Sequence, residues 1–245
     1  MKKTLFCLIF LGIFAQSRSQ AVSYDTVAVM ILDHMSSILG ELSSCSFRLN
    51  VTADIADPES GTITTHEISD VSFYGPDKMF VSIKGGEKGH RGYWYNGQKL
   101  IWYSFNENNF VVVDAPDNIV EMIDTINSTY GIEFPAADFF YPTFTDDLIN
   151  RSENIFYKGK TNLDGQDCFH IVAKNQEMII QFWITNNAMF LPLKFLINYT
   201  VKTNMQRYEA TFSNWQINPE LPPSMFEFTP PPSARQVSVA AAESN

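Results

Sequence analysis

From Leu193 to Lys202 apolar and polar residues alternate, with Leu193, Phe195, Ile197, Tyr199 and Val201 on one side and Lys194, Asn198, Thr200 and Lys202 on the other. A period of two sends successive side chains of an extended chain to opposite faces, so this segment reads as a strand of a sheet with one apolar face. Comparable strand-like runs occupy residues 46–55, 62–74, 78–84, 91–95, 99–105 and 109–114, then 154–162, 167–174, 177–185 and 207–217. About eleven such runs, without crossover helices between them, exclude a doubly wound parallel sheet. Asn96-Gly97 is a favoured two-residue hairpin turn and residues 106–108 would serve another, so consecutive strands are expected to pair as an antiparallel meander.

Helical stretches interrupt this pattern. Behind Ser23 or Asp25 as N-cap, Val27, Met30, Ile31, Met35, Ile38, Leu39 and Leu42 recur at three-and-four spacing, which predicts an amphipathic helix with one face to be covered. A second helix opens at Pro116-Asp117, sets Ile119, Met122, Ile123, Ile126 and Tyr130 on one face, and stops at Gly131. Beyond it, Phe134, Phe139, Phe140, Tyr141 and Phe144 crowd a stretch too short to bury them by itself, so a concave surface is expected to receive this insertion, residues 117–150. With 20 Phe, 10 Tyr and 4 Trp but only 18% charged residues, the composition suits a sheet with a large apolar interior or an apolar cavity. Met178, Ile180, Phe182 and Ile184 on one strand, with Phe195, Ile197 and Tyr199 on the next, form an apolar face whose default role is core and whose alternative role is lining a cavity.

Lys2 and Lys3 precede an apolar stretch, residues 5–15, well short of the roughly 20 residues that span a bilayer. Small residues follow at cleavage-compatible spacing, which predicts a secretory signal over residues 1–21, a mature domain over 22–232 and, after Pro230-Pro231-Pro232, a flexible tail over 233–245. Cys7 sits behind Phe6 inside the apolar stretch, so no lipid anchor is expected. No later segment is apolar for long enough to cross a membrane. A net charge of −10 denies the chain the broad basic face that nucleic acid requires and disfavours adsorption to anionic headgroups. Cys45 and Cys168 remain after cleavage, each in a strand-like run, either as a disulfide or as two separate buried thiols.

Catalytic motifs are weak. His34, His66, His90 and His170 form no HExxH or HxH, and there is no GxSxG elbow. Cys168 and His170 share a strand face more simply as a packed pair than as nucleophile and base. The glycine-rich stretch 85–90 reads as a hairpin tip, and Asp146-Asp147 as helix capping. No enzymatic activity, metal or cofactor is expected.

Three stretches carry a family resemblance. Phe73-Tyr74-Gly75-Pro76-Asp77-Lys78-Met79-Phe80, followed by Tyr95-Asn96-Gly97-Gln98-Lys99-Leu100, resembles the opening half of bacterial periplasmic proteins related to the lipoprotein carrier LolA. The segment from Tyr130-Gly131-Ile132-Glu133-Phe134 through Pro135-Ala136-Ala137-Asp138-Phe139-Phe140-Tyr141 is similar to one in DUF2092, a family of predicted periplasmic proteins of unknown function. Leu221-Pro222-Pro223-Ser224-Met225-Phe226-Glu227-Phe228-Thr229-Pro230-Pro231 resembles the closing motif of both groups. The Arg-Pro dipeptide of LolA-type carriers stands here as Gly75-Pro76, without the arginine.

The resemblance implies a mainly β fold: a single curved antiparallel sheet forming an incomplete LolA-like half-barrel, with the N-terminal helix and the helical insertion packed on its concave face. It also implies a monomeric periplasmic protein that binds a lipid, an acyl chain or a lipidated protein. The candidate cavity or lid residues are Phe134, Phe139, Phe140, Tyr141, Phe144, Phe182, Phe195, Ile197 and Tyr199. The alternative is an envelope sensor or protein-interaction module whose cavity is filled by side chains and whose partner is an envelope protein.

Overall fold

The computed structural model describes residues 23–201 and 205–239, so the expected export signal lies outside the described residues. Antiparallel pairing runs in sequence through β2 (Ser44–Asp57), β3 (Gly61–Tyr74), β4 (Lys78–Gly85), β5 (Arg91–Tyr95), β6 (Lys99–Ser104) and β7 (Asn109–Asp114). A second antiparallel run comprises β8 (Asn154–Leu163), β9 (Gln166–Lys174), β10 (Met178–Thr185), β11 (Pro192–Tyr199) and β12 (Met205–Ile217). β12 then pairs antiparallel with β2, which joins the two meanders into one open curved sheet.

Turn chemistry sets the hairpins. At the β5–β6 turn the Asn96 side-chain oxygen accepts from the backbone N–H groups of Gln98 (3.2 Å) and Lys99 (3.1 Å), while Gly97 takes a φ of 89°. At Gly85, φ is 97° and a Cβ would lie 2.3 Å from the His66 carbonyl oxygen, so the end of β4 requires glycine.

One sheet face is apolar and helix-covered. Phe47, Leu49 and Val51 of β2, Val71 of β3 and Val81 and Ile83 of β4 are buried in the main core. On the opposite face of β2 and β3, Arg48 donates to both carboxylate oxygens of Asp70 (2.7 and 2.9 Å), and the Ser46 and Ser72 hydroxyls lie 2.8 Å apart. Alternation along these strands therefore separates core from solvent.

Helix α1 (Thr26–Gly40) is capped by Asp25, whose carboxylate accepts from Val27 N–H at 2.8 Å. It buries Ala28, Ile31, Leu32, Met35 and Leu39. Val27 and Met30, expected on the same face, are instead 47% and 54% exposed. Each is one or two residues off the buried stripe, and one residue turns the side chain about 100° around the axis. Helix α2 (Ile119–Tyr130) starts later than Pro116-Asp117, because Asn118 is the cap and accepts from Val120 N–H at 2.9 Å. Gly131, at φ 64°, closes it. A 3₁₀ turn (Ala137–Phe140) and helix α3 (Phe144–Arg151) complete the insertion.

Both edges of the sheet depart from the antiparallel expectation. Strand β1 (Ser23–Tyr24) pairs parallel with β8, and β13 (Arg235–Gln236) pairs parallel with β7. The segment expected to be flexible from residue 233 is thus partly a strand. Arg235 N–H donates to Asn108 O (3.1 Å) and Val237 N–H to Phe110 O (2.9 Å), which gives partners to the otherwise open edge of β7.

The cysteine alternative resolves to separate thiols: Cys45 and Cys168 are both free and buried. Cys45 lies on β2 and Cys168 on β9, with β10, β11 and β12 between those strands. Strand spacing of about 4.8 Å puts them far beyond the reach of a disulfide.

Candidate apolar binding site

The insertion meets the sheet ring against ring. Phe139, in the 3₁₀ turn, has ring-centroid distances of 5.0 Å to Phe144, 5.2 Å to Phe195, 5.5 Å to Phe212 and 6.1 Å to Phe182. Those three sheet rings come from β11, β12 and β10, so one residue spans three strands. Phe144 lies 6.0 Å from Phe182, edge to face. Phe140 belongs to a second group, stacked 5.7 Å from Phe47 and edge-on at 4.9 Å to Phe73. Phe134 meets Tyr93 edge-on at 5.4 Å.

The remaining candidates lie off these clusters. Tyr141 turns its hydroxyl to Asp124 of α2, donating at 2.7 Å, and so braces the insertion internally. Burial, with the Asp124 carboxylate beside it, pushes the Tyr141 hydroxyl pKa up. Two residues along from Phe195, Ile197 pairs with Tyr208 and Ile180, and two further, Tyr199 pairs with Met178. Ile197 and Tyr199 are half-buried and continue the apolar face past the rings.

That face ends in a polar margin which sequence reasoning missed. Register sets Glu67 beside Val51 and Arg91 beside Ile83, and Arg91 donates to Glu67 at 3.0 Å. Burial first, then the Glu67 and Glu133 charges, push the Tyr208 hydroxyl pKa up; Tyr199 is shifted likewise by burial and Glu133. Phe47, Phe73, Tyr93 and Phe212 were also missed as partners. Their strands were readable, but nothing local reports which rings converge from four separate strands.

Polar ties between insertion and sheet are found at the insertion's ends. Ile119 N–H donates to Pro76 O (2.9 Å), and Asn175 donates to Arg151 O (2.8 Å). Through the centre, the described backbone hydrogen bonds stay within the insertion, as from Phe139 N–H to Ala136 O and from Phe144 N–H to Tyr141 O. Two clefts lie elsewhere. One, of about 360 Å³, runs between α1 and α3 past Asp33, Ser36 and Asp146. The other, of about 250 Å³, lies on the far side of the sheet beside Trp94 and Phe228.

Burial pushes the Cys45 thiol up to about 12 and raises that of Cys168, so neither is an activated nucleophile. His170 is held by Gln181 at 3.0 Å and stacks on Trp183 at 4.7 Å. Among the described residues, no group of three or more His, Cys, Asp or Glu is placed to hold a metal, and no helix is long and apolar enough to cross a membrane.

The sequence profile of DUF2092, described as a predicted periplasmic protein, matches residues 28–240. The chain belongs to the DUF2092 family. The periplasmic expectation agrees with this family's description. Comparison with curated proteins finds no match. Among solved structures, the DUF2092 chain is similar to an uncharacterised conserved protein from Thermus thermophilus, with TM-score 0.49 and 12% identity over 86% of this chain and 98% of that one. It is similar to lipoprotein LppX of Mycobacterium tuberculosis, with TM-score 0.48 and 12% identity over 78% and 96% of the two chains. A LolA superfamily protein of Nitrosomonas europaea aligns with TM-score 0.37 and 10% identity over 82% and 97%.

Proposed function

We propose that this DUF2092 protein binds an acyl chain, of a lipid or of a lipidated protein, between its apolar sheet face and the aromatic insertion, and performs no catalysis. The observation that carries the reading is the contact of Phe139 with Phe182, Phe195 and Phe212, a meeting of rings alone. Parting two apolar surfaces breaks no hydrogen bond, and a hydrocarbon guest can replace the lost ring contacts without leaving a buried polar group unsatisfied. Each methylene so buried contributes roughly 0.8 kcal/mol. The hydrogen bonds at the insertion's two ends would let its centre lift while the ends stay anchored. The Glu67–Arg91 pair and the Tyr208 hydroxyl would receive the polar end of such a guest at the margin.

A second reading rests on the same rings. Phe139 packs on Phe144, Phe195 and Phe212, an arrangement that also suits an interaction module with a filled interior. Native mass spectrometry of gently purified protein, organic extraction and displacement of a fluorescent fatty-acid probe separate the two. The carrier reading expects bound lipid, with affinity rising with chain length. A clean apo mass with no probe binding, and repeated recovery of one envelope protein, would replace it with the interaction module.

A further inference from the structure

The cleft on the sheet's far side, away from the insertion, has walls of unusual composition. Trp94 of β5, Tyr103 of β6, Phe105 just after it and Phe228 near the C-terminus line a space of about 250 Å³. The rings are tilted against one another. Trp94 and Phe228 are 4.9 Å apart at 51°, Tyr103 and Phe228 are 5.6 Å apart at 43°, and Tyr103 and Phe105 are 4.7 Å apart at 69°. The tilted rings pack edge against face and together wall an open cleft.

These walls are held in place. Phe105 is 43% exposed, yet it stacks on His90 at 3.7 Å and 4°. The Tyr103 hydroxyl donates to Asn108 at 2.7 Å. Glu227, the one charged residue of the cleft's described lining, accepts from Asn96 at 3.3 Å. Aromatic faces carry negative potential, so rings joined by a carboxylate, with no lining cation, favour a positive guest.

The form of the cation follows from the make-up of the walls. Four of the seven described lining residues are aromatic, and the Tyr103 hydroxyl is already engaged with Asn108 and Glu227 with Asn96, so the surface offered to a guest is mainly ring rather than acceptor for the three N–H donors of a primary ammonium. A quaternary ammonium brings no donor and presents methyl groups to the rings. We propose that this cleft is a binding site for a quaternary ammonium group, with Trp94, Tyr103, Phe105 and Phe228 as its aromatic walls and Glu227 as its counter-charge.

Calorimetric titration of the intact mature protein with tetramethylammonium and choline tests this, with 3,3-dimethylbutan-1-ol as the neutral isostere of choline and methylammonium as the protonated comparison. Both quaternary ions should bind, with the neutral isostere at least about tenfold weaker. Trp94→Ala should weaken binding roughly tenfold, and Glu227→Gln roughly fivefold. Should Trp94→Ala fail to fold, the exposed Phe105→Ala, expected to lose roughly threefold, and the isostere comparison on the wild type still decide. Equal binding of the neutral isostere would reduce the cleft to an apolar groove, tighter binding of methylammonium would overturn the quaternary assignment, and absence of binding by all four compounds would overturn the site. Choline-displaceable binding to phosphatidylcholine vesicles but not to phosphatidylglycerol vesicles would identify a lipid headgroup as the source. Binding of the free ions alone would identify a small solute, and either result upholds the cleft.

Discussion

Phe139 of the insertion and Phe195 of β11 lie 5.2 Å apart, ring centroid to ring centroid, each less than a tenth exposed. The contact joins a short helical turn to the sheet through rings alone. Truncating Phe139 to Ala should cost about 3 kcal/mol, since it removes a ring packed against four others. Urea denaturation measures that loss, and hydrogen exchange locates it. Faster exchange across α2 and α3, with β2 to β4 unchanged, is expected if the insertion is a separable packing layer, whereas uniform acceleration would mean that sheet and insertion unfold together.

Stability should fall in alkali. Burial raises the pKa of the Cys45 thiol to about 12 and also raises those of the Tyr93, Tyr95, Tyr141, Tyr199 and Tyr208 hydroxyls. In the unfolded chain these groups ionise near their ordinary values, about 8.5 for Cys and 10 for Tyr. Above those values the unfolded state binds fewer protons than the native state, so stability is fully present below them and is lost as pH rises towards the native values. The urea midpoint should hold near pH 8 and drop progressively through about pH 9 to 11. A flat midpoint across that range would contradict the burial of these groups.

Thiol chemistry should be silent in the native state. Cys45 and Cys168 are buried and free, so a disulfide-exchanging chromogenic reagent should label neither until denaturant is added, and should then label both. Reductant should leave the melting temperature unchanged. A mass two hydrogens lighter than the reduced chain would require the two strands to be neighbours.

The C-terminal strand should be protected from exchange. Arg235 and Val237 donate backbone hydrogen bonds to Asn108 and Phe110, so their amides should exchange more slowly than a free tail. Removing residues from 233 onward should cost about 1–2 kcal/mol, the worth of a pair of backbone hydrogen bonds. Exchange at the intrinsic rate would return this segment to a flexible tail.

The sequence alone determined the pieces that short-range physics controls. Strands β5 and β7 coincide with the expected runs at both ends, because short aromatic and β-branched runs bounded by turn residues, Asn96-Gly97 after β5 and residues 106–108 before β7, are set within a few residues. The stop of α2 at Gly131 was likewise local, since it needs one residue tolerant of positive φ. Tertiary structure decided what lies beside what. The pairing of β12 with β2, which turns two meanders into one sheet, unites segments from opposite ends of the chain, and no alternation pattern names a strand's neighbour. The same pairing sets Phe212 beside Leu49, within reach of Phe139, and leaves Cys45 and Cys168 strands apart. The period of an apolar pattern tells which face a ring occupies; only the assembled sheet tells which other rings share that place, because the hydrophobic effect that drives burial has no direction of its own.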